Sequence, residues 1–159
     1  MWKIILVLVA LLIYIMYNIV VIKLFNIPHS LSQTYYLFKD YNDKFKVLFP
    51  MMMIGVAIIL LPAWLEISDG SDFQFTVFLS CVGLIPTGIT PAFNKNKKDN
   101  IIHTVSAYFA ACISFLWIIM LTDLWYIILI LGVIIGFIGL FFRKWGSSYT
   151  YLLENIAIF

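Results

Sequence analysis

The feature that most constrains this chain is a succession of unbroken apolar runs, each close to the length of a bilayer-crossing helix. Such a helix needs about 20 apolar residues to cover the hydrocarbon core. Runs of that order occupy 2–22, 47–65, 73–93, 101–121 and 124–142. A sixth, 147–159, has only about a dozen residues and either spans a locally thin region or stops partway. The runs are continuous rather than alternating, which excludes the strands of a transmembrane barrel. With 64% of its 159 residues apolar and 11% charged, the chain departs far from the makeup of a soluble domain. A globule of this size leaves too much surface outward to hide the excess, so the surrounding solvent is lipid. Disorder, a disulfide scaffold and a nucleic-acid partner are excluded by the same arithmetic. The expected architecture is all-α: a polytopic integral membrane helical bundle. It forms one transmembrane domain over 1–159 with six transmembrane helices, or five if the last segment does not insert fully.

The breaks between runs carry helix-start chemistry. Ser71 followed by Gln74 reads as a capping box opening the third span. Asp99 or Asn100 suits the start of the fourth, Asp123 the fifth, and Ser147 or Ser148 the sixth. Asp69-Gly70 is a turn pair between spans two and three, and the brief Thr122-Asp123 break makes spans four and five a tight antiparallel hairpin. The first run is too long for the apolar region of a signal peptide and lacks a small-x-small cleavage site, so it reads as a retained helix. Cys81 and Cys112 both sit inside apolar runs, outside any C-x-x-C pair, and read as buried structural thiols.

Orientation comes from the basic residues. With six crossings, one side collects Lys23, Lys39, Lys44, Lys46, Lys95, Lys97, Lys98, Arg143 and Lys144, while the other holds Lys3 alone. Basic residues flank the cytoplasmic ends of membrane helices. The expectation is therefore a multi-pass cell-membrane protein with both termini extracytoplasmic. The first loop offers a second capping box, Ser30-Leu31-Ser32-Gln33, followed by Leu31, Tyr35 and Phe38 at helical spacing. Its aromatics interleaved with Lys39, Lys44 and Lys46 suit a short interfacial helix in the headgroup layer, in contact with membrane lipids.

Inside the bilayer, small residues mark close approach between helices. Ser106, Ala107, Ala110, Ala111 and Ser114 line the fourth span, and Gly132, Gly136 and Gly139 the fifth; these two faces are expected to meet. The Gly132-x-x-x-Gly136 pair also offers a homo-oligomer contact. In the third span Pro86 removes a backbone donor and should kink the helix, leaving a carbonyl for the hydroxyls of Thr87 or Thr90. Pro50 and Pro62 lie near the ends of the second span.

Glu154 is the most informative candidate. From a start at Ser147 it lies roughly 10 Å into the membrane, where an ionisable group is costly and faces the bundle interior or a wet cavity. Ser147, Tyr151, Glu154 and Asn155 share one helical face. His103 enters the fourth span from the cytoplasmic side, roughly 6 Å below its start. Together with His29 or Ser30 from the first loop, the pair would form a site beneath the cytoplasmic surface. The ligand-binding candidates are thus Glu154, His103, Tyr151, Pro86, Thr87, Ser30 and His29. Neither an H-E-x-x-H nor a G-x-S-x-G motif occurs; no metal and no cofactor are expected.

Four segments in order carry a family resemblance: Ile27-Pro28-His29-Ser30-Leu31-Ser32-Gln33-Thr34 after the first helix; the Gly/Pro-broken third span; Ile102-His103-Thr104-Val105-Ser106-Ala107-Tyr108-Phe109; and Glu154 in the last helix. In this order the chain resembles the DRAM/Sfk-type six-span proteins and related bacterial membrane families, over about a quarter of its length. Gln33 and Asn155 stand where the family pattern has Asp and Trp. The resemblance implies a role around membrane lipids and a first loop outside the cytoplasm, whereas the charge count places that loop inside. The functional expectation is a non-enzymatic membrane protein binding a lipid or small amphipathic ligand among spans three, four and six. The alternatives are a small transporter or its substrate-binding subunit, and a membrane-embedded lipid hydrolase.

Overall fold

A computed structural model of the protein describes residues 1–90, 97–121, 126, 130, 132–134, 150–151 and 154–155. Among these residues the structure is all-helical and contains no strand. The helices in chain order are α1 (Trp2–Phe25), α2 (Thr34–Tyr41), α3 (Leu48–Ile67), α4 (Gln74–Ile89) and α5 (Lys97–Leu121), with a 3-10 helix at Asp43–Val47 leading into α3. Among the described residues three segments are long and apolar enough to cross a membrane: Trp2–Phe25, Asp43–Ile67 and Lys97–Leu121.

The helix ends follow from local chemistry. α1 runs past Ile22 because Lys23 in its last turn complements the outgoing carbonyl dipoles. It stops at Asn26, which adopts the positive φ of 60° that asparagine tolerates and returns its N–H to the Ile22 carbonyl. Asn42 opens the 3-10 helix, its Oδ1 accepting the Lys44 N–H at 3.0 Å. Within that turn Lys46 pairs with Asp43 at 2.8 Å. Between α3 and α4, Gly70 supplies a φ of 78° for the expected turn. The Ser71–Gln74 box does not close reciprocally. Ser71 Oγ accepts from the Phe73 N–H at 3.1 Å, and the Gln74 side chain donates instead to the Leu65 carbonyl at 2.9 Å, tying α4 back to α3.

The third and fourth expected spans move furthest at their ends. α4 ends at Ile89, short of Phe93, with Pro91 just beyond it and unable to continue the hydrogen-bond ladder. Its 16 residues extend roughly 24 Å, less than the ~30 Å hydrocarbon core. α5 begins at Lys97, so Asp99 and Asn100 sit within its first turn, where Asp99 favours the N-terminal dipole, instead of capping it from outside. The expected fifth and sixth spans lie mostly outside the described residues, as do Asp123, Gly136, Gly139, Arg143, Lys144, Ser147 and Ser148. The described portion therefore contains three long apolar helices and one shorter one, not a count of six.

The helices pack in chain order: α1 on α3, α3 on α4, and α4 on α5, with α2 against α3. α3 is the hub, since 39% of its most apolar window is buried against 22% for α1 and 11% for α5. α1 buries Ala10, Tyr14, Tyr17 and Val21, a single face. Leu8, Leu12, Ile15, Met16 and Ile19 on its remaining surface are all exposed. In water each such side chain would forfeit about 1.5–3 kcal/mol, and a few of them would consume the ~5–15 kcal/mol that holds a domain together. An outer surface as apolar as the interior fits a lipid solvent.

Among the described residues close approach occurs at two glycines of α4, while the expected meeting of the fourth and fifth spans falls largely outside the described residues. A Cβ placed on Gly83 of α4 would lie 2.9 Å from Ala110 Cβ of α5, and one on Gly88 would lie 2.9 Å from Met53 Cβ of α3. Ala110 thus meets Gly83, and Gly132 has no neighbour within 4 Å of its Cβ position among the described residues. Cys81 is buried as expected, but Cys112 is exposed on the outside of α5. α2 turns Phe38 into the bundle, against Phe25 at 5.1 Å and Tyr17 at 5.9 Å between ring centroids. Tyr41 and Phe45 stack on each other at its exposed end.

Candidate functional site

The site is assembled from the loop after α1. Ser30 Oγ accepts the Gln33 N–H at 3.2 Å, and Gln33 Oε1 in turn accepts the His29 N–H at 2.7 Å. This is the expected box, closed on His29 in place of Ser30. Thr34 donates its hydroxyl to the Leu31 carbonyl at 2.5 Å and shares a hydrogen bond with the Tyr17 hydroxyl of α1. The turn is thereby pinned between α1 and α2, with Ser30, Leu31, Ser32 and Thr34 all buried.

Onto this turn comes the 150–155 stretch. The Tyr151 N–H donates to the His29 carbonyl at 3.0 Å, and the Leu31 N–H donates to the Glu154 carboxylate. Tyr14 of α1 donates its hydroxyl to Asn155 Oδ1 at 2.8 Å, and the Tyr151 hydroxyl donates to Asn18 Oδ1. Both amides are braced within their own helices, Asn18 Nδ2 on the Tyr14 carbonyl at 2.9 Å and Asn155 Nδ2 on the Tyr151 carbonyl at 2.7 Å. Of the polar stripe expected on the last segment, Tyr151 and Asn155 meet Asn18 and Tyr14 of α1, while Ser147 lies outside the described residues. In an apolar surround such polar contacts supply the directed attraction that aliphatic side chains lack.

A half-open cavity of about 100 Å³ lies among α3, α4, α5, the first loop and Glu154. Its polar lining is Ser32, Thr87, His103, Ser114 and Glu154, and its apolar lining includes Phe49, Met53, Leu84 and Ala107. His103 is buried, its Nδ1 3.0 Å from the Thr87 carbonyl oxygen. That carbonyl is open for a covalent reason: its helical partner would be the N–H of residue 91, and residue 91 is proline. The threonine hydroxyls do not reach the Val82 carbonyl freed by Pro86. Thr87 donates to the Gly83 carbonyl at 2.9 Å and Thr90 to the Pro86 carbonyl at 2.6 Å. Trp64, which lines the cavity, stacks on Trp117 at 5.2 Å, and Trp117 Nε1 is buried with no hydrogen-bond partner among the described residues.

Of the residues singled out from sequence, Glu154, His103 and Thr87 line this one cavity. Ser30 stands behind it, its Oγ 3.2 Å from Ser32 Oγ. Tyr151 is buried against α1, and Pro86 does not reach the cavity wall. His29 contributes backbone groups, while its side chain is exposed. Sequence reasoning missed Tyr14, Tyr17 and Asn18, although their i, i+3, i+4 spacing inside an aliphatic helix was a readable signal. It also missed Ser32 and the Leu31 N–H, which only the closed turn reveals. No three His, Cys, Asp or Glu side chains converge to hold a metal among the described residues. No protein-family model, curated protein or solved structure matches the chain, so the DRAM/Sfk-type resemblance rests on its four short segments.

Proposed function

We propose that this chain is a multi-pass membrane protein that binds a lipid or small amphipathic molecule in the cavity beside Glu154, without transforming it. The observation that carries the reading is the composition of that cavity. A mostly apolar lining built from α3, α4 and α5 is joined by a few polar groups drawn from four separate segments. Few convergent polar groups in a mostly apolar pocket are the usual makeup of a small-molecule site. Its volume approaches the ~150 Å³ of cavities that take a benzene-sized guest, enough for a head and the first carbons of a chain. A role around membrane lipids is also what the DRAM/Sfk-type resemblance implies.

The hydrolase alternative is less well supported, because a catalytic pair would need the His103 ring linked to the Glu154 carboxylate. The ring's Nδ1 goes to the Thr87 carbonyl and the carboxylate to the Leu31 N–H. Transport has no observation favouring it over binding. The membrane reading extends to six crossings, with α1, α3, α4 and α5 as four and the 124–142 and 147–159 segments as the others. Both termini are extracytoplasmic on the strength of the nine-against-one basic asymmetry.

Filling the cavity is the direct test. Ala107→Phe places a ring in the cavity. Native mass spectrometry of protein released from mild detergent should find a lipid-sized adduct on the wild type and its loss from Ala107→Phe. An adduct retained equally by both, at unchanged helix content by circular dichroism, refutes a ligand in this cavity.

A further inference from the structure

We infer that the exposed end of α2, with the 3-10 helix after it, is a docking surface for the anionic headgroups of the surrounding bilayer. The inference rests on the membrane reading and is independent of a ligand in the cavity. Most aromatics of this segment are spent on the protein itself. Phe38 is buried, and Tyr35 and Tyr36 are half-buried and pack edge-on at 5.1 Å. Tyr41 and Phe45 remain, 61% and 42% exposed, stacked on each other at 6.2 Å. Phe25 props Tyr41 edge-on at 6.0 Å. α1 ends at Phe25 and the next apolar segment begins at Asp43, so the pair stands where two apolar helices leave the hydrocarbon. Aromatic rings settle at that level of a bilayer.

The charges beside the rings are unequally committed. Lys46 is held by Asp43 at 2.8 Å. Lys39 and Lys44 are exposed, with no carboxylate in ion-pair distance among the described residues. Lys23, also exposed, lies near the end of α1, and exposed Asp40 opposes the three with a single negative charge. Cations flanking an apolar pair match a lipid whose head carries net negative charge, which draws on each nearby lysine. A phosphocholine head carries its own cation and cancels that attraction. An acidic protein would answer the lysines but would not enter the level at which the rings stand.

The test is electron spin resonance of spin-labelled phosphatidylglycerol and phosphatidylcholine around the full chain in phosphatidylcholine vesicles. The fraction of each lipid immobilised by the protein gives their relative association. Phosphatidylglycerol should be favoured at least about fivefold, the effect of roughly one lysine at the surface. Lys39→Gln with Lys44→Gln should reduce the preference to about twofold or less, while Lys39→Arg with Lys44→Arg should keep it. Lys97→Gln with Lys98→Gln removes equal charge at the start of α5 and should leave most of the preference. If the paired glutamine variant loses helix content, raising the salt should instead weaken the wild-type preference several-fold. Equal association of the two lipids, a preference that survives the glutamines or the salt, or equal loss at Lys97 and Lys98 overturns the assignment. A preference lost in Ala107→Phe places the lipid in the cavity and also overturns it. Immobilisation of neither lipid overturns the membrane reading itself.

Discussion

At Gly83 the absence of a side chain is what lets α4 and α5 touch. An added Cβ would stand 2.9 Å from Ala110 Cβ and 3.1 Å from its backbone, and backbone cannot swing aside. Gly83→Ala should therefore force the two helices apart and cost about 1–3 kcal/mol, the usual penalty for overpacking. Gly55, also inside a helix, has nothing within 4 Å of its Cβ position. There alanine should be neutral or stabilising by up to ~1 kcal/mol, through helix propensity alone. Thermal unfolding in one detergent compares the pair, and equal midpoints would show that the Gly83–Ala110 contact is not tight in the protein. At this scale the sequence marked Ala110 as small, and the structure adds Gly83 as its partner. A stripe of small residues records that something approaches, and both α4 and the 132–139 glycines were chemically suitable.

The docking of one element on another is clearest where the 150–155 stretch meets α1. Two tyrosines and two asparagines interlock, with Tyr14 on Asn155 and Tyr151 on Asn18. Since the groups at one crossing form a unit, a double-mutant cycle of Asn18→Ala with Tyr151→Phe should give a coupling of roughly 0.5–2 kcal/mol, the range of interhelical hydrogen bonds in bilayers. The measurement is reversible unfolding in mixed micelles, and additivity within ~0.3 kcal/mol would refute the contact. Half of this clamp was legible. Tyr151, Glu154 and Asn155 stand out as a polar face in an apolar segment, and an intramembrane carboxyl demands a partner. That the partner is a main-chain N–H at Leu31 was not legible, because it exists only once Ser30 and Gln33 have closed the turn that aims it.

For the whole molecule, insertion and orientation are the open physical predictions. On a background with Cys81 and Cys112 replaced by alanine, single cysteines at Ser71 and Lys97 should label oppositely with a membrane-impermeant maleimide applied to intact cells. Position 71 should react and position 97 should be protected. The reverse pattern would overturn the assigned orientation, and labelling of both would show that α4 does not separate two compartments. The crossing count depends on α4, whose helix covers only 16 residues. A segment of that length crosses by locally thinning the bilayer or leaning on its flanks.

What the sequence determined by itself was the presence of helices long and apolar enough to cross a membrane, the helical class and the approximate ends of four helices, because these follow from run length, hydropathy, proline and capping residues acting locally. It also picked out Glu154 as an ionisable group costly in lipid, and His103 and Thr87 as candidates for the same site. What only the tertiary structure decided was which face of each helix turns inward. In water the apolar face announces itself, but in lipid both faces are apolar, so Leu12 outside and Val21 inside are written in the same chemistry. The cavity, its direction of hydrogen bonding and the joining of residues 14–34 to 151–155 arise from how the helices and the first loop are placed together, and no local pattern encodes that placement.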